Sequence, residues 1–464
     1  MPSPAAEAAR QTTILVTGAS GYIASQLIPL LLERGLKVRC LVRNPAHLYS
    51  RSWFADVEVF SGDLTKPTSY LTALQGVSTA YYLVHGMSNG KNYIEQDLQA
   101  ARDFSGSAFK AGVKHLIYLG GLADPQVKIA RHMRSRIHTG ESLRSGGVPV
   151  TEFRAGVIIG PGSISFEMIR FLVEQFPIIL CPRWMSNLSQ PIAIQNILDY
   201  LLAALELPNV ESQVFEIGGS NVMTYADTML EYARLRGLRR RVLIMPLNPV
   251  GLLAYFMAIL TPVPGNITRP LVEGLCSDSI VQDDSALRVF PQIRPLGYSN
   301  AVRISLEKLD PRLVEPVWRQ SVPPRSSLKH AGFCIQQRQI ILPASPVSVL
   351  ETIQKIQPPS ENNKFNCAEK YDTRSGQEHV LLLHSLRKLP GQLWQEWRIC
   401  KVETGTQLSQ AMLFAPRGLP GFLWWVGSEP WIRLYQWSMF HKIVGTSRKM
   451  RERLASEAQR RKEE

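Results

Sequence analysis

The stretch Ile14-Leu15-Val16-Thr17-Gly18-Ala19-Ser20-Gly21-Tyr22-Ile23-Ala24 constrains this chain more than any other. A short, apolar, β-branched run ends in a glycine turn, and a helical pattern follows. That is the strand-turn-helix opening of a dinucleotide-binding unit. Gly18 permits the sharp turn. Gly21 lets the backbone approach a pyrophosphate that a Cβ would strike, and Ala24 is small enough for the helix to lie tight on the strand. The helix N-terminus then offers free N–H groups to an anion, with Ala19, Ser20, Tyr22 and Ile23 completing the loop. Leu27, Leu30, Leu31 and Leu32 supply the apolar side of this helix, and Gly35 stands where a C-cap belongs.

The pattern then alternates. Strands are expected at 36–42, 57–60, 79–85, 115–119 and 150–159, with helical periodicity between them, clearest over 93–111. Alternation of this kind argues for an α/β doubly wound parallel sheet of the Rossmann type. The second strand ends in Arg43, where an acidic residue would bind the ribose 2′-hydroxyl of NAD; Arg39 and Arg51 are near in sequence. A guanidinium suits a 2′-phosphate, so NADP is favoured over NAD. After the third strand, Asp63 can accept from an adenine amino group and Leu64 can pack on its ring. The fourth strand carries Val84 and His85 beneath the expected nicotinamide.

Residues 12 to about 310 resemble an atypical short-chain dehydrogenase/reductase of the NmrA-like kind. The matching pieces are Thr-Gly-Ala-Ser-Gly-Tyr-Ile-Ala at 17–24, Tyr-Tyr-Leu-Val-His at 81–85, Ile-Tyr-Leu-Gly-Gly-Leu at 117–122, Glu-Phe-Arg-Ala-Gly-Val-Ile-Ile-Gly at 152–160 and Ser-Phe-Glu-Met-Ile-Arg at 165–170. Residues 330–445 resemble a domain of unknown function that often follows such a reductase-like domain in bacteria, best at Phe-Ala-Pro-Arg-Gly-Leu-Pro-Gly, 414–421. The resemblance implies NAD(P) binding and carbonyl-reductase chemistry through Tyr-x-x-x-Lys, where the Tyr gives a proton and the Lys lowers its pKa and holds the ribose. No Tyr-x-x-x-Lys occurs in this chain. His132 and Arg136 have the spacing but not the chemistry, and Gly120 or Gly121 replaces the usual partner Ser. His132 and His85 are the candidate acids, and Arg136 a candidate ribose or phosphate ligand.

Length and composition bound the rest. A chain of 464 residues can hold two or three domains. The reading is an N-terminal tail, 1–11; an NAD(P)-binding domain with a substrate-side subdomain, 12–310; a Pro-rich linker, 311–328; a smaller α+β domain, 329–445, resembling the helix-grip fold of ligand-binding proteins; and a basic helical tail, 446–464. In the α+β domain a strand, turn and helix are expected over 342–356, loop over 357–378, strands at 379–387, 393–402 and 407–414, and a terminal helix from about Trp431. Six scattered Cys without Cys-x-x-Cys pairs point to a reducing compartment, no zinc ribbon and no other metal site. Residues 1–11 lack the apolar core of a signal peptide, and the apolar run 250–260 is too short to span a bilayer, so a cytoplasmic location is expected. The net charge of +14 permits acidic partners, but no nucleic-acid motif accompanies it. Six of the nine Trp fall after residue 390, next to a basic tail, which fits an aromatic core or peripheral membrane contact.

Three functions follow. The first is an NADPH-preferring oxidoreductase acting on a carbonyl, enone or quinone-type small molecule. The second is a sensor or assembly factor that binds the cofactor without turnover. The third is a lipid or quinone handler at a membrane surface.

Overall fold

The computed structural model describes residues 13–48, 51–84, 93–124, 126–127, 129–208, 210–245, 250–251, 255, 265–307, 325–330, 333–356, 365–372, 378–385, 387–402 and 405–463. His85, the tail 1–11, most of the 250–260 run and the linker as far as residue 324 lie outside them. The chain divides into one unit of residues 1–173 and 177–320 and a second of 174–176 and 321–464.

The first unit is built on a seven-stranded parallel sheet. Its strands are β1 (Thr13–Thr17), β2 (Lys37–Val42), β3 (Glu58–Ser61), β4 (Val77–Tyr82), β5 (His115–Gly121), β6 (Val150–Ala155) and β7 (Gln213–Ile217), in the order β7-β6-β5-β4-β1-β2-β3. Strand order reverses between β1 and β4, which makes their C-terminal ends the switch point of a doubly wound sheet. β1 is buried on both faces. Ile14 and Val16 join a core with Leu27, Ile28 and Leu31, whereas Leu15 joins a second core with Leu41, Phe104 and Tyr118. That is why β1 reads as a continuous apolar run.

Helix α1 (Tyr22–Glu33) lays Ala24, Leu27, Ile28 and Leu31 on the sheet. Each large side chain so buried contributes about 1.5–3 kcal/mol. Leu27→Ala would cost about 2–5 kcal/mol, the range for emptying a packed core site. Gly35, at φ +74°, ends the helix: its N–H donates to Leu32 O at 2.9 Å, and Leu36 N–H to Leu31 O at 3.2 Å. Helices α2 (Tyr93–Lys110) and α3 (Arg131–Arg144) follow β4 and β5. The strand expected over 150–159 is two pieces. β6 stops at Ala155, and Ile158–Ile159 pairs in parallel with Ile192–Ala193, outside the main sheet.

The second unit holds a six-stranded antiparallel sheet: β8 (Arg325–His330), β9 (Phe333–Leu342), β10 (Phe365–Asp372), β11 (Glu378–Ser385), β12 (Gly391–Val402) and β13 (Gly405–Pro416), ordered β8-β9-β13-β12-β11-β10. Helices α4 (Pro346–Ile356) and α5 (Gly418–Glu463) supply Val349, Ile353, Met439, Phe440 and Ile443 to a core with Trp397, Ile399 and Leu408 from the sheet. Three expectations are corrected. The stretch read as loop contains β10, and the last part of the stretch read as linker forms β8. Both are outer strands, whose polar sequences follow from having only one neighbour. The terminal helix starts at Gly418 rather than near Trp431, because Trp425 stacks on Phe414 with ring centroids 5.7 Å apart.

Candidate cofactor site

The glycine loop occupies the switch point. Gly18 stands at φ +65°, and its N–H donates to Leu41 O at 3.2 Å, so the turn is tied to the end of β2. On its other side a Cβ at Gly18 would lie 2.9 Å from both Leu83 O and Val84 Cγ2. Position 18 is therefore restricted to glycine twice over, by conformation and by contact. The Thr17 hydroxyl ties the ends of β1 and β4 together. It donates to Tyr81 O at 3.0 Å and accepts from Leu83 N–H at 3.1 Å.

Gly21 differs. It is the N-cap of α1 with φ −78° and ψ 165°, ordinary extended values, and a Cβ there would meet only Gly18 O, at 3.1 Å. The chain itself tolerates a side chain at this exposed position. What glycine leaves open is the approach to the first-turn N–H groups of Tyr22 and its successors, which have no partner within the helix. Ala19 is buried beneath the turn. β4 ends at Tyr82 rather than running on to residue 85, and Val84, just past it, reaches the loop at Gly18, so the structure brings together the glycine motif and the segment that follows the fourth strand.

Of the three cations near the end of β2, one is free to face a ligand. Arg39 pairs with Glu58 at 2.9 Å, donates to Ala73 O and Gln75 O, and lies over the Phe60 ring at 4.9 Å. Arg51 is buried, which pushes its pKa down to about 10. Only Arg43 is exposed at the strand end, near Asp63. Slight burial of the Asp63 carboxyl pushes its pKa up, but hydrogen bonds from the Thr65 N–H (3.0 Å) and hydroxyl (2.9 Å), with the charges of Arg43 and Lys66, hold it below the usual range. Leu64 is packed among Leu41, Tyr70 and Phe104, so its side chain is committed to the core rather than presented as a platform.

On α3 the two residues at Tyr-x-x-x-Lys spacing share a face. His132 is buried, and desolvation, reinforced by Arg136, pushes its pKa down to about 4. Burial therefore favours the uncharged imidazole at neutral pH, which lacks the acidic imidazolium proton expected of it. Arg136 lies against the end of β5: a Cβ at Gly121 would be 3.1 Å from Arg136 Cδ and 2.6 Å from Met133 Cε. The Tyr118 hydroxyl donates to Arg136 O at 3.0 Å, steadying that turn of the helix. Glu152 on β6, fully buried between Arg144 and Arg154, fixes α3 to the sheet. Just beyond β5 a cleft of about 300 Å³ is lined by Asp124, Asn187, Cys276, Asp278 and Gln282. No pattern in the sequence marked those residues, because they come from three separate loops. Among the described residues, no group of His, Cys, Asp and Glu could hold a metal ion.

A seven-stranded parallel sheet with a glycine turn at its switch point defines the dinucleotide-binding Rossmann class. Residues 10–160 match the model of the NmrA-like family. Among curated proteins, the photosystem II assembly factor Ycf39 of Cyanophora paradoxa is 26% identical over 244 residues, 51% of this chain and 72% of its own. The ceramide reductase of Caulobacter vibrioides is 23% identical over 239 residues, 50% of this chain and 73% of its own. Among solved structures, Citrobacter sp. triphenylmethane reductase complexed with NADP(H) superposes with a TM-score of 0.51 at 20% identity, covering 63% of this chain and 99% of the reductase. An NADPH-dependent quinone oxidoreductase of Escherichia coli gives 0.51 at 16% identity, covering 63% and 98%. The first unit thus shares its fold with NAD(P)-binding reductases.

Proposed function

We propose that the first unit binds NADP(H) and reduces a small acceptor, of the quinone or enone type, that takes hydride without an acid from the enzyme. The observation that carries this reading is the open approach at Gly21 combined with an exposed Arg43 at the end of β2. The open glycine gives a pyrophosphate access to the α1 N-terminus, and the guanidinium supplies paired donors for a 2′-phosphate. The NADP(H)-bound and NADPH-dependent proteins that share this fold support the cofactor assignment. When bound, the cofactor supplies the hydride. The residues of this chain would bind and orient it: Gly18 and Val84 would shape the floor, Asp63 would accept from the adenine amino group, and Arg136, whose guanidinium is buried with its pKa pushed down by desolvation, would stand where a Lys holds the ribose. A buried, neutral His132 cannot replace the proton-donating Tyr, which selects acceptors whose reduced form is protonated by solvent.

A second reading has its own support. The similarity to a photosystem II assembly factor, together with the missing Tyr and Lys, fits a protein that binds the cofactor as a signal or structural element. The two readings separate in one experiment. NADPH oxidation is followed at saturating protein against a panel of quinones and enones, alongside direct titration of NADPH. Turnover with a quinone or enone supports the oxidoreductase. Tight binding with no acceptor reduced replaces it with the second reading, and absence of binding removes both.

A further inference from the structure

Helix α5 is apolar on two opposite faces, and only one of them is covered. Trp425, Ile432, Gln436, Met439 and Ile443 recur at the spacing of one helix face and are buried. Leu423, Val426, Pro430, Leu434, Trp437, His441 and Val444 recur at the same spacing half a turn away and are exposed. Leu423 is 59% exposed, Leu434 54% and Trp437 47%, and Trp431 at the edge of the stripe is 71% exposed. The stripe runs for about 30 Å at the helical rise. Isolated exposed leucines need no explanation, but a periodic stripe with two tryptophans does.

We propose that this face of α5 lies on a membrane surface rich in anionic lipid. Three observations choose that occupant. Trp431 and Trp437 are the side-chain type that settles at the headgroup level, apolar in body and polar at one edge. The helix runs on without a break into a segment that carries seven Lys or Arg against two Glu between 448 and 462. Such a segment adds attraction to an anionic surface. A second copy of the chain laid along the same stripe in parallel would instead bring two of these basic segments together. Finally, among the described residues no helix is long and apolar enough to cross a membrane, so the arrangement is one of lying on the surface rather than spanning it.

The full chain is mixed with vesicles of phosphatidylcholine alone, or with about 30% phosphatidylglycerol, and sedimented at about 0.05 M and about 0.5 M salt. Binding to the anionic vesicles at low salt is expected, roughly tenfold weaker in high salt or on neutral vesicles. Leu434→Glu with Trp437→Glu should reduce binding at least about tenfold, since it puts two charges where exposed apolar side chains would enter the lipid. Replacing Arg448, Lys449, Arg451 and Arg453 by Ser should abolish the preference for anionic lipid and leave the stripe intact. If the double Glu variant fails to fold, brominated lipid quenches the tryptophan fluorescence of the unaltered chain when the proposal holds. No sedimentation and no quenching overturn it. So does a dimer in light scattering that the double Glu variant converts to monomer, because the stripe would then be covered by a second copy.

Discussion

Replacing Gly21 by Val separates what the glycine loop does for the fold from what it does for a ligand. The backbone at Gly21 has φ −78°, which any L-residue adopts, and the first atom a Cβ meets is Gly18 O at 3.1 Å. That oxygen must give by a few tenths of an ångström, and valine is a poorer N-cap than glycine; together these cost about 1 kcal/mol. In a unit of this size that is a fall in Tm of about 1–2 °C. The two methyl groups stand over the first turn of α1, where the pyrophosphate is expected, so NADPH affinity should drop at least tenfold, or about 1.4 kcal/mol. Gly18→Ala reverses the order of effects. A left-handed non-glycine residue costs about 1–2 kcal/mol, and contact with the Leu83 carbonyl at 2.9 Å adds overpacking of about 1–3 kcal/mol. Thermal melts and NADPH titration by protein fluorescence, run on both variants, test the reasoning. A folded Gly21→Val protein with undiminished affinity would remove the ligand from the loop. A Gly18→Ala protein as stable as the parent would show that the turn is not held as described.

Arg43→Ala should weaken NADPH by about 1.5–3 kcal/mol and leave NADH nearly unchanged, the loss expected for a hydrogen-bonded charge pair; equal losses in the two titrations would place the guanidinium away from the 2′-phosphate. His132→Gln should slow any NADPH turnover by less than tenfold, because general acid help is worth about 10²–10⁴ and the buried imidazole does not provide it; a hundredfold loss in initial rate would restore it as the acid. Burial holds both His115 and His132 at a pKa of about 4 in the folded chain, against about 6.5 when unfolded. Between those values the unfolded chain binds more protons. Stability should therefore be level above about pH 6.5 and fall on acidification towards about pH 4, and His132→Gln should flatten the plot of Tm against pH in that window. An unchanged plot would mean that the imidazole is solvated.

The sequence was legible where local chemistry and burial agree. The turn 17–24, the end of α1 at Gly35 and the first five strands of the parallel sheet follow from apolar runs and glycine positions that the structure uses as expected. β7 was missed. Gln213–Ile217 is a short edge strand that follows helix and 3₁₀ turn, and its register against β6 is set by tertiary pairing rather than by any local pattern. Polar β10 looks like loop in the sequence for a related reason. In α5 the glycines and prolines at 418, 420, 421, 427 and 430 have low helix propensity, yet packing of Trp425 and Ile432 outweighs it. In the site, the residue types at the catalytic spacing were visible, but not their burial. That His132 would be desolvated, and that Arg39 would be committed to Glu58, Ala73 and Gln75, depends on neighbours distant in the chain.

The imidazole of His132 packs on bare backbone: a Cβ at Gly274 would lie 3.0 Å from His132 Cε1 and 3.1 Å from Nε2. A tyrosine in its place would need more room than the imidazole, against the 265–274 helix. Gly121, meanwhile, has Met133 folded over the spot where a serine hydroxyl would sit. Grafting proton-donating chemistry onto this scaffold is therefore not a matter of one or two codons. A designer would first have to move the helix at Gly274 and shorten Met133, so any route to Tyr-x-x-x-Lys chemistry passes through intermediates that pack badly before they catalyse anything.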